Sequence, residues 1–213
     1  MDLSQLPITS LARVWHVGSL QASDKWCHGT SLEGAGLSVS LHPHAWIAIA
    51  KLGGQPVWAM HRQDKALGRF LDFHAMRQDH REQLAQTGVA RGWVVQQPRF
   101  RVDWVDPETE DARYCLFEHE GQALAEAADM GQWAEDVKQS QVLVHVATPA
   151  LCEHVGQRID DGLALDMVAT SLVEECDSLD GVWWHDTLDE AALSAPRGVL
   201  SRRALPLWTS RQR

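Results

Sequence analysis

Two short motifs near the start of the chain contain residue types that bind small molecules or move protons. The first, Val14-Trp15-His16-Val17-Gly18-Ser19, places an imidazole, a glycine and a hydroxyl close together. The second, Gly34-Ala35-Gly36-Leu37-Ser38-Val39-Ser40, leads through two glycines to two serines at alternate positions. Glycine lets a backbone approach a ligand closely because it has no Cβ atom. Polar groups on otherwise apolar strands need hydrogen-bond partners, and a ligand is one possible partner.

Histidine and cysteine spacing does not predict a metal site. His42 and His44 are two residues apart with no third ligand type beside them, and His74 and His80 lie in a polar segment. Both pairs are typical of solvated surface histidines. No two of the four cysteines form a C-x-x-C motif, which disfavours a zinc ribbon or a thioredoxin-type pair. We therefore expect that the protein binds no metal and that its cysteine thiols are reduced.

The overall composition predicts a globular protein that is not a general polyanion binder. The chain has 213 residues, of which 45% are hydrophobic, and a formal net charge of −10. This length suits one domain spanning 1–213. Binding to nucleic acid needs clustered lysine and arginine, and the arginines of 197–213 are typical of a solvated segment. No signal-peptide pattern or membrane-spanning apolar run is found, so we expect a cytoplasmic protein with no membrane partner.

The elements that must position the two motifs are short and alternate irregularly. Hydrophobic patterning and turn residues predict strands at 11–16, 37–41, 56–60, 69–73, 92–95, 100–105, 112–118, 141–146, 181–184 and 198–200. They predict helices from 42 to before Gly53, and at 79–86, 121–136, 149–155, 163–176 and 188–193. Because regular strand–helix alternation is missing, a doubly wound sheet is disfavoured. We predict an α+β fold with a mixed, mostly antiparallel split sheet and flanking helices.

The order of the motifs resembles that of the ADP-ribosyltransferase superfamily, in the branch with a His-Tyr-Glu triad (the diphtheria-toxin and poly-ADP-ribose polymerase type). In that branch an early strand carries a His followed by Gly and Ser or Thr, as in His16-Val17-Gly18-Ser19 with one residue inserted. A second strand of the family reads Gly-x-Gly-Ile/Leu-Tyr-x-Ser/Ala, and Ser38 stands here at the Tyr position. The resemblance implies an ADP-ribosyltransferase-like fold that binds NAD as a substrate.

The resemblance also implies which residues form the NAD site. His16 would hydrogen-bond the ribose near the nicotinamide, and the backbone around Val17 and Gly18 would hold the carboxamide. The rest of the predicted site consists of Trp15, Ser19, Gly36, Ser38, Ser40 and Trp183. Among these, Trp15 or Trp183 would replace the missing Tyr as the platform on which nicotinamide stacks, and Trp46 is an alternative.

The catalytic glutamate of the family has no clear equivalent in this chain. That residue stabilises an oxocarbenium-like centre as nicotinamide leaves, and it lies at the start of a late strand. Asp180 precedes such a strand, and Glu174 is the next candidate, with Glu175 and Asp186 as further alternatives. At the final predicted strand the matching position falls near Arg197 or Gly198, which carry no carboxylate.

Two classes of function therefore stay open. In the first, the protein transfers ADP-ribose to a protein or nucleic-acid target, or hydrolyses NAD, as in a bacterial toxin or defence effector with a cognate antitoxin or immunity partner. In the second, it is a catalytically inactive binding or interaction module of the same or an unrelated α+β fold, which the missing Tyr and the unplaced Glu favour. An RNA 2′-phosphotransferase of the same superfamily is a third possibility, and the acidic composition argues against it.

Overall fold

The computed structural model describes residues 2–20, 36–108, 110, 112–156, 158–186, 188 and 195–213. The strands in chain order, β1 to β11, are Ile8–Leu11, Val14–Val17, Leu37–Ser40, Val57–Arg62, Gly68–Asp72, Val94–Val105, Ala112–Phe117, Glu135–Ala147, Gly181–Trp184, Arg197–Leu200 and Trp208–Gln212. The α-helices, α1 to α5, are Pro43–Ile49, Gln78–Ala90, Glu120–Met130, Pro149–Val155 and Ala164–Glu174.

Eight strands form a curled sheet in the order β1-β5-β9-β10-β3-β2-β4-β11. Neighbours pair antiparallel except β5 and β9, which run parallel. The strands β2 and β3 pair at one position, Trp15 with Ser40, and both carry predicted site residues. The two motifs therefore lie on neighbouring strands.

The remaining three strands form a second sheet in the order β7-β6-β8. Its central strand β6 continues through Pro98, where the sequence predicts two separate strands. Proline lacks an N–H group and is tolerated where a strand has an open edge. At Pro98 the strand pairs with β8, while β7 pairs only from Phe100 onward. The open edge therefore lies beside the proline.

Each face of the larger sheet covers an apolar cluster. On one face, Leu71, Val182 and Val199 pack against helices α2 and α5. On the other face, the cluster includes Val14, Val39, Met60, Phe70, Trp183, Leu200 and Trp208. Side chains alternate between the two faces along each strand, so the strand periodicity decides which motif residues enter which cluster.

The structure confirms the predicted α+β class and the mixed, mostly antiparallel sheet. Some boundaries differ. The predicted strand at 11–16 is divided between β1 and β2, the predicted helix at 121–136 ends at Met130, and β11 was not predicted. The predicted helix at 188–193 lies almost wholly outside the described residues. Within the described part of the chain, no helix is both long and apolar enough to cross a membrane.

Candidate functional site

His16 is buried and makes two hydrogen-bond contacts with backbone carbonyl groups. Its Nδ1 atom lies 2.8 Å from the carbonyl oxygen of Ser38, and its Nε2 atom lies 2.9 Å from that of Ser19. The side chain is 8% exposed. Burial lowers the pKa of the imidazole, and the two carbonyl contacts act in the opposite direction. Both ring nitrogens are therefore engaged within the protein, at the point where β2 and β3 separate.

The turn after β2 is also held by contacts within the protein. The Gly18 N–H donates to the carbonyl of Pro56, at 2.9 Å. The Gly18 carbonyl accepts a hydrogen bond from the Trp58 indole, at 2.8 Å. A φ of 123° at Gly18 lies in the region that favours glycine. The backbone groups predicted to hold the carboxamide thus have partners, and Val17 is buried.

The serines of the second motif project to the face opposite His16. Trp15 and Ser40 are register partners, so Trp15, Ser38 and Ser40 share one face while His16 projects to the other. The Ser40 hydroxyl donates to the Pro196 carbonyl and accepts from the His42 N–H. The Ser38 hydroxyl is buried and has no hydrogen-bond partner among the described residues.

Gly36 sits where β3 approaches β10 most closely. It has a φ of 139°, and a Cβ atom there would lie 2.4 Å from the carbonyl oxygen of Leu200. This glycine is therefore required by strand packing. Gly34, the other glycine of the motif, lies outside the described residues.

Asp180 is a buried carboxylate with a complete set of partners. One oxygen contacts the Arg62 guanidinium at 2.7 Å and the Trp208 indole N–H at 3.3 Å, and the other accepts from the Arg69 N–H at 2.7 Å. Asp180 precedes β9, and no described hydrogen bond joins it to His16, whose ring contacts Ser38 and Ser19. The structure does not bring Asp180 and His16 together.

Two further predicted site residues, Glu174 at the end of α5 and Trp183 on β9, have contacts within the protein. Glu174 accepts hydrogen bonds from the backbone N–H groups of Arg202 and Arg203. Trp183 is 0% exposed and packs edge-to-face on Phe70, so no face of its indole is open to a ligand.

Trp15 is the predicted site residue whose side chain lines surface cavities. It lies between two cavities. The larger, of about 530 Å³, is lined by Trp15 with Arg13, Leu41, His61, Arg62 and Lys65. The smaller, of about 310 Å³, is lined by Trp15 with Leu41, His42, His44, Leu188 and Arg213. Volumes of this size are typical of sites that bind small organic ligands.

The charge around Trp15 is opposite to that of the whole chain. Among the described residues, Arg13, Lys65 and Arg213 have no carboxylate partner. Arg62, by contrast, is neutralised by Asp64 and Asp180. No aspartate or glutamate is among the described residues that line either cavity. In a chain of net charge −10, this is a local positive site.

The indole of Trp15 is already in contact with cations. The guanidinium carbon of Arg213 lies 4.9 Å from the ring centroid, and that of Arg13 lies 5.9 Å from it. Both distances are in the range of a cation–π interaction. Helix α1 contacts β2 and begins with Pro43 in the first turn, which places His42 and His44 at the rim of the smaller cavity.

Sequence reasoning missed the cations of this site because they come from separate parts of the chain. Lys65 lies in the turn between β4 and β5, and Arg213 follows β11 and continues its pairing with β4. It also missed Asp166 on α5, which accepts a hydrogen bond from the Trp184 indole at 2.8 Å. Burial raises the pKa of Asp166 to about 6. No local pattern in the sequence marks any of these residues.

The described residues contain no group of three potential metal ligands. Comparison with protein-family models, with curated proteins and with solved structures finds no match for this chain.

Proposed function

We propose that this protein binds a nucleotide of the NAD class in the two cavities that meet at Trp15. The observation that carries the proposal is the position of one half-buried indole among three cations that have no carboxylate partner in the described part of the chain. A nucleotide needs both features, because it combines a planar aromatic ring with phosphate groups. The resemblance of the motif around His16 to NAD-binding strands is what selects NAD within that class.

The indole supplies the aromatic platform. Stacking of a base on an aromatic side chain contributes about 1–3 kcal/mol. Of the three predicted platforms, Trp183 is buried in the core and Trp46 lines neither cavity, whereas Trp15 lines both. Arg213 covers the ring at 4.9 Å, and a ligand ring would replace its guanidinium or stack beside it.

The cations supply the phosphate contacts. Arginine binds phosphate through charge-assisted hydrogen bonds, which are stronger than neutral ones. Arg13, Lys65 and Arg213 form no ion pair with a described carboxylate that an anion would have to displace. Arg62 is held in the wall of the larger cavity by Asp180.

Transfer of ADP-ribose is the second candidate function. It is favoured by the resemblance of the motif around His16, although His16 itself projects to the sheet face opposite Trp15. In this reaction the bond between nicotinamide and ribose breaks, nicotinamide leaves, and the acceptor forms the new bond to the ribose. Such a reaction calls for a carboxylate near the developing positive charge. None lines either cavity among the described residues, so binding without cleavage is the better supported function.

Calorimetric titration with NAD tests the proposal. We expect measurable binding to the wild type, binding at least tenfold weaker for Trp15→Ala, and near-normal binding for Trp15→Phe, because phenylalanine keeps an aromatic face. Trp133→Ala is the matched control, since Trp133 is 49% exposed and lines neither cavity. No binding of NAD at millimolar concentration, or equal binding by Trp15→Ala and wild type, would overturn the proposal. Release of nicotinamide in the same samples would establish the second candidate.

A further inference from the structure

We infer that the preferred ligand carries a phosphomonoester on its adenosine ribose in addition to its diphosphate, as NADP and coenzyme A do. This inference rests on the proposed function and specifies the class of nucleotide. The inference follows from the positions of Arg13, Lys65 and Arg213, which have no carboxylate partner among the described residues, around the Trp15 indole.

The three cations fall into two groups, one in each cavity. The two cavities have only Trp15 and Leu41 in common among their described lining residues. Arg13 and Lys65 line the larger cavity, whereas Arg213 lines the smaller one. A ligand that satisfies both groups needs two separate anionic groups, one on each side of a ring stacked on Trp15. In NAD the phosphates form one diphosphate. In an adenosine with both a diphosphate and a phosphomonoester, the ribose separates the two.

The described lining of the two cavities also contains no acid that would select against the extra phosphate. In Rossmann folds, which differ from this one, an aspartate or glutamate binds the ribose hydroxyl of NAD and an arginine accommodates the extra phosphate of NADP, and the same charge preference applies to any site. The described residues that line the two cavities include Arg13 and no acid. A phosphomonoester in the larger cavity would therefore meet Arg13 and Lys65, while the nearby Asp64 carboxylate is paired with Arg62.

The backbone conformation of Lys65 supports a role for its ammonium group in binding an anion. Lys65 adopts a φ of 61° in the turn after β4, in a left-handed conformation that is uncommon for residues other than glycine. Its ammonium group forms no ion pair with a described residue, although the side chain is exposed. The turn thus presents a cation to the larger cavity at a position where glycine would fit the backbone better.

Titration with NAD, NADP, coenzyme A and ADP at one fixed salt concentration tests the inference. We expect NADP or coenzyme A to bind at least tenfold more tightly than NAD and ADP. Tighter binding of NADP than coenzyme A would assign the phosphate to the 2′ position, and the reverse order would assign it to the 3′ position. Equal affinities for all four nucleotides, or tighter binding of NAD, would overturn the inference while the proposed function stands. Absence of binding by every nucleotide would overturn both.

Substitution of the larger cavity's cations gives a second measurement. We expect Arg13→Gln with Lys65→Gln to weaken the phosphomonoester-bearing ligand at least tenfold more than it weakens NAD, because only that ligand has a phosphate in addition to its diphosphate. Lys138→Gln is the matched control, because Lys138 lies exposed on β8 and is not among the cavity residues. An equal loss of affinity for NAD and NADP in the double variant would overturn the assignment of these cations to the extra phosphate.

Discussion

The Nδ1 atom of His16 lies 2.8 Å from the backbone carbonyl oxygen of Ser38, across the gap where β2 and β3 stop pairing. The Nε2 atom of the same ring lies 2.9 Å from the Ser19 carbonyl oxygen. A neutral imidazole carries one N–H group and can donate to one of these oxygens, while the imidazolium can donate to both. His16 therefore links β3 to the turn after β2, beyond the one position at which β2 and β3 pair. Its protonation state sets how many of these hydrogen bonds form.

His16 gives the stability of the protein a defined dependence on pH. Burial lowers its pKa below 6.5 despite the two carbonyl contacts, so the unfolded chain binds more protons than the folded one just below that pH. The contribution of His16 to the free energy of unfolding is therefore greatest above about pH 6.5. It decreases as the pH drops through the lower pKa of the folded state. Urea unfolding at several pH values between 5 and 7 should show this loss in the wild type and a smaller one in His16→Gln. Identical pH profiles would contradict the prediction.

Asp166 should have the opposite effect. Its folded-state pKa is raised to about 6, chiefly by burial, so the folded chain binds more protons than the unfolded one between that value and 3.8. Its ionisation therefore removes stability as the pH rises through this window. We expect Asp166→Asn, which keeps an acceptor for the Trp184 indole, to be more stable than the wild type at pH 7, by on the order of 2 kcal/mol. The gain should vanish near pH 4, and urea unfolding at both pH values checks it.

Asp180 should prove structural when it is substituted. Asp180→Ala leaves the Arg69 N–H and one face of the Arg62 guanidinium without an acceptor, and loss of one partner of a buried ion pair costs about 3–5 kcal/mol. Asp180→Asn keeps one acceptor oxygen and should cost less. Chemical denaturation of both variants measures the two losses. A folded Asp180→Asn protein of wild-type stability that had lost nicotinamide release would instead identify a catalytic carboxylate.

Gly36 should tolerate no side chain. Gly36→Ala would place a Cβ atom 2.4 Å from the Leu200 carbonyl oxygen at a φ of 139°, which forces β3 away from β10. We expect a loss of stability of about 1–3 kcal/mol. Gly121→Ala is the control, because nothing lies within 4 Å of its added Cβ in helix α3, where alanine stabilises by up to about 1 kcal/mol. Thermal unfolding of the two variants should move in opposite directions.

The sequence predicts the local elements of this protein better than it predicts the site. Apolar alternation correctly indicates that Trp15 and Ser38 lie on short strands, and Pro43 correctly marks the first turn of α1. The partners of His16 could not be predicted, because one of them is 22 residues away on a strand whose register depends on the whole sheet. The cations around Trp15 are still harder to predict, since they converge only when the β4–β5 turn and β11 are in place. β11 itself has little hydrophobic alternation to mark it.

The contact between Arg213 and Trp15 has a consequence for the motions of the sheet. In the described fold β11 is an edge strand, paired on one side with β4, and edge segments open more often than central ones. The same segment carries the guanidinium that covers the indole. A ligand bound by Arg213 would therefore reduce the fraying of β11. Binding would slow hydrogen exchange at the backbone amides along that strand.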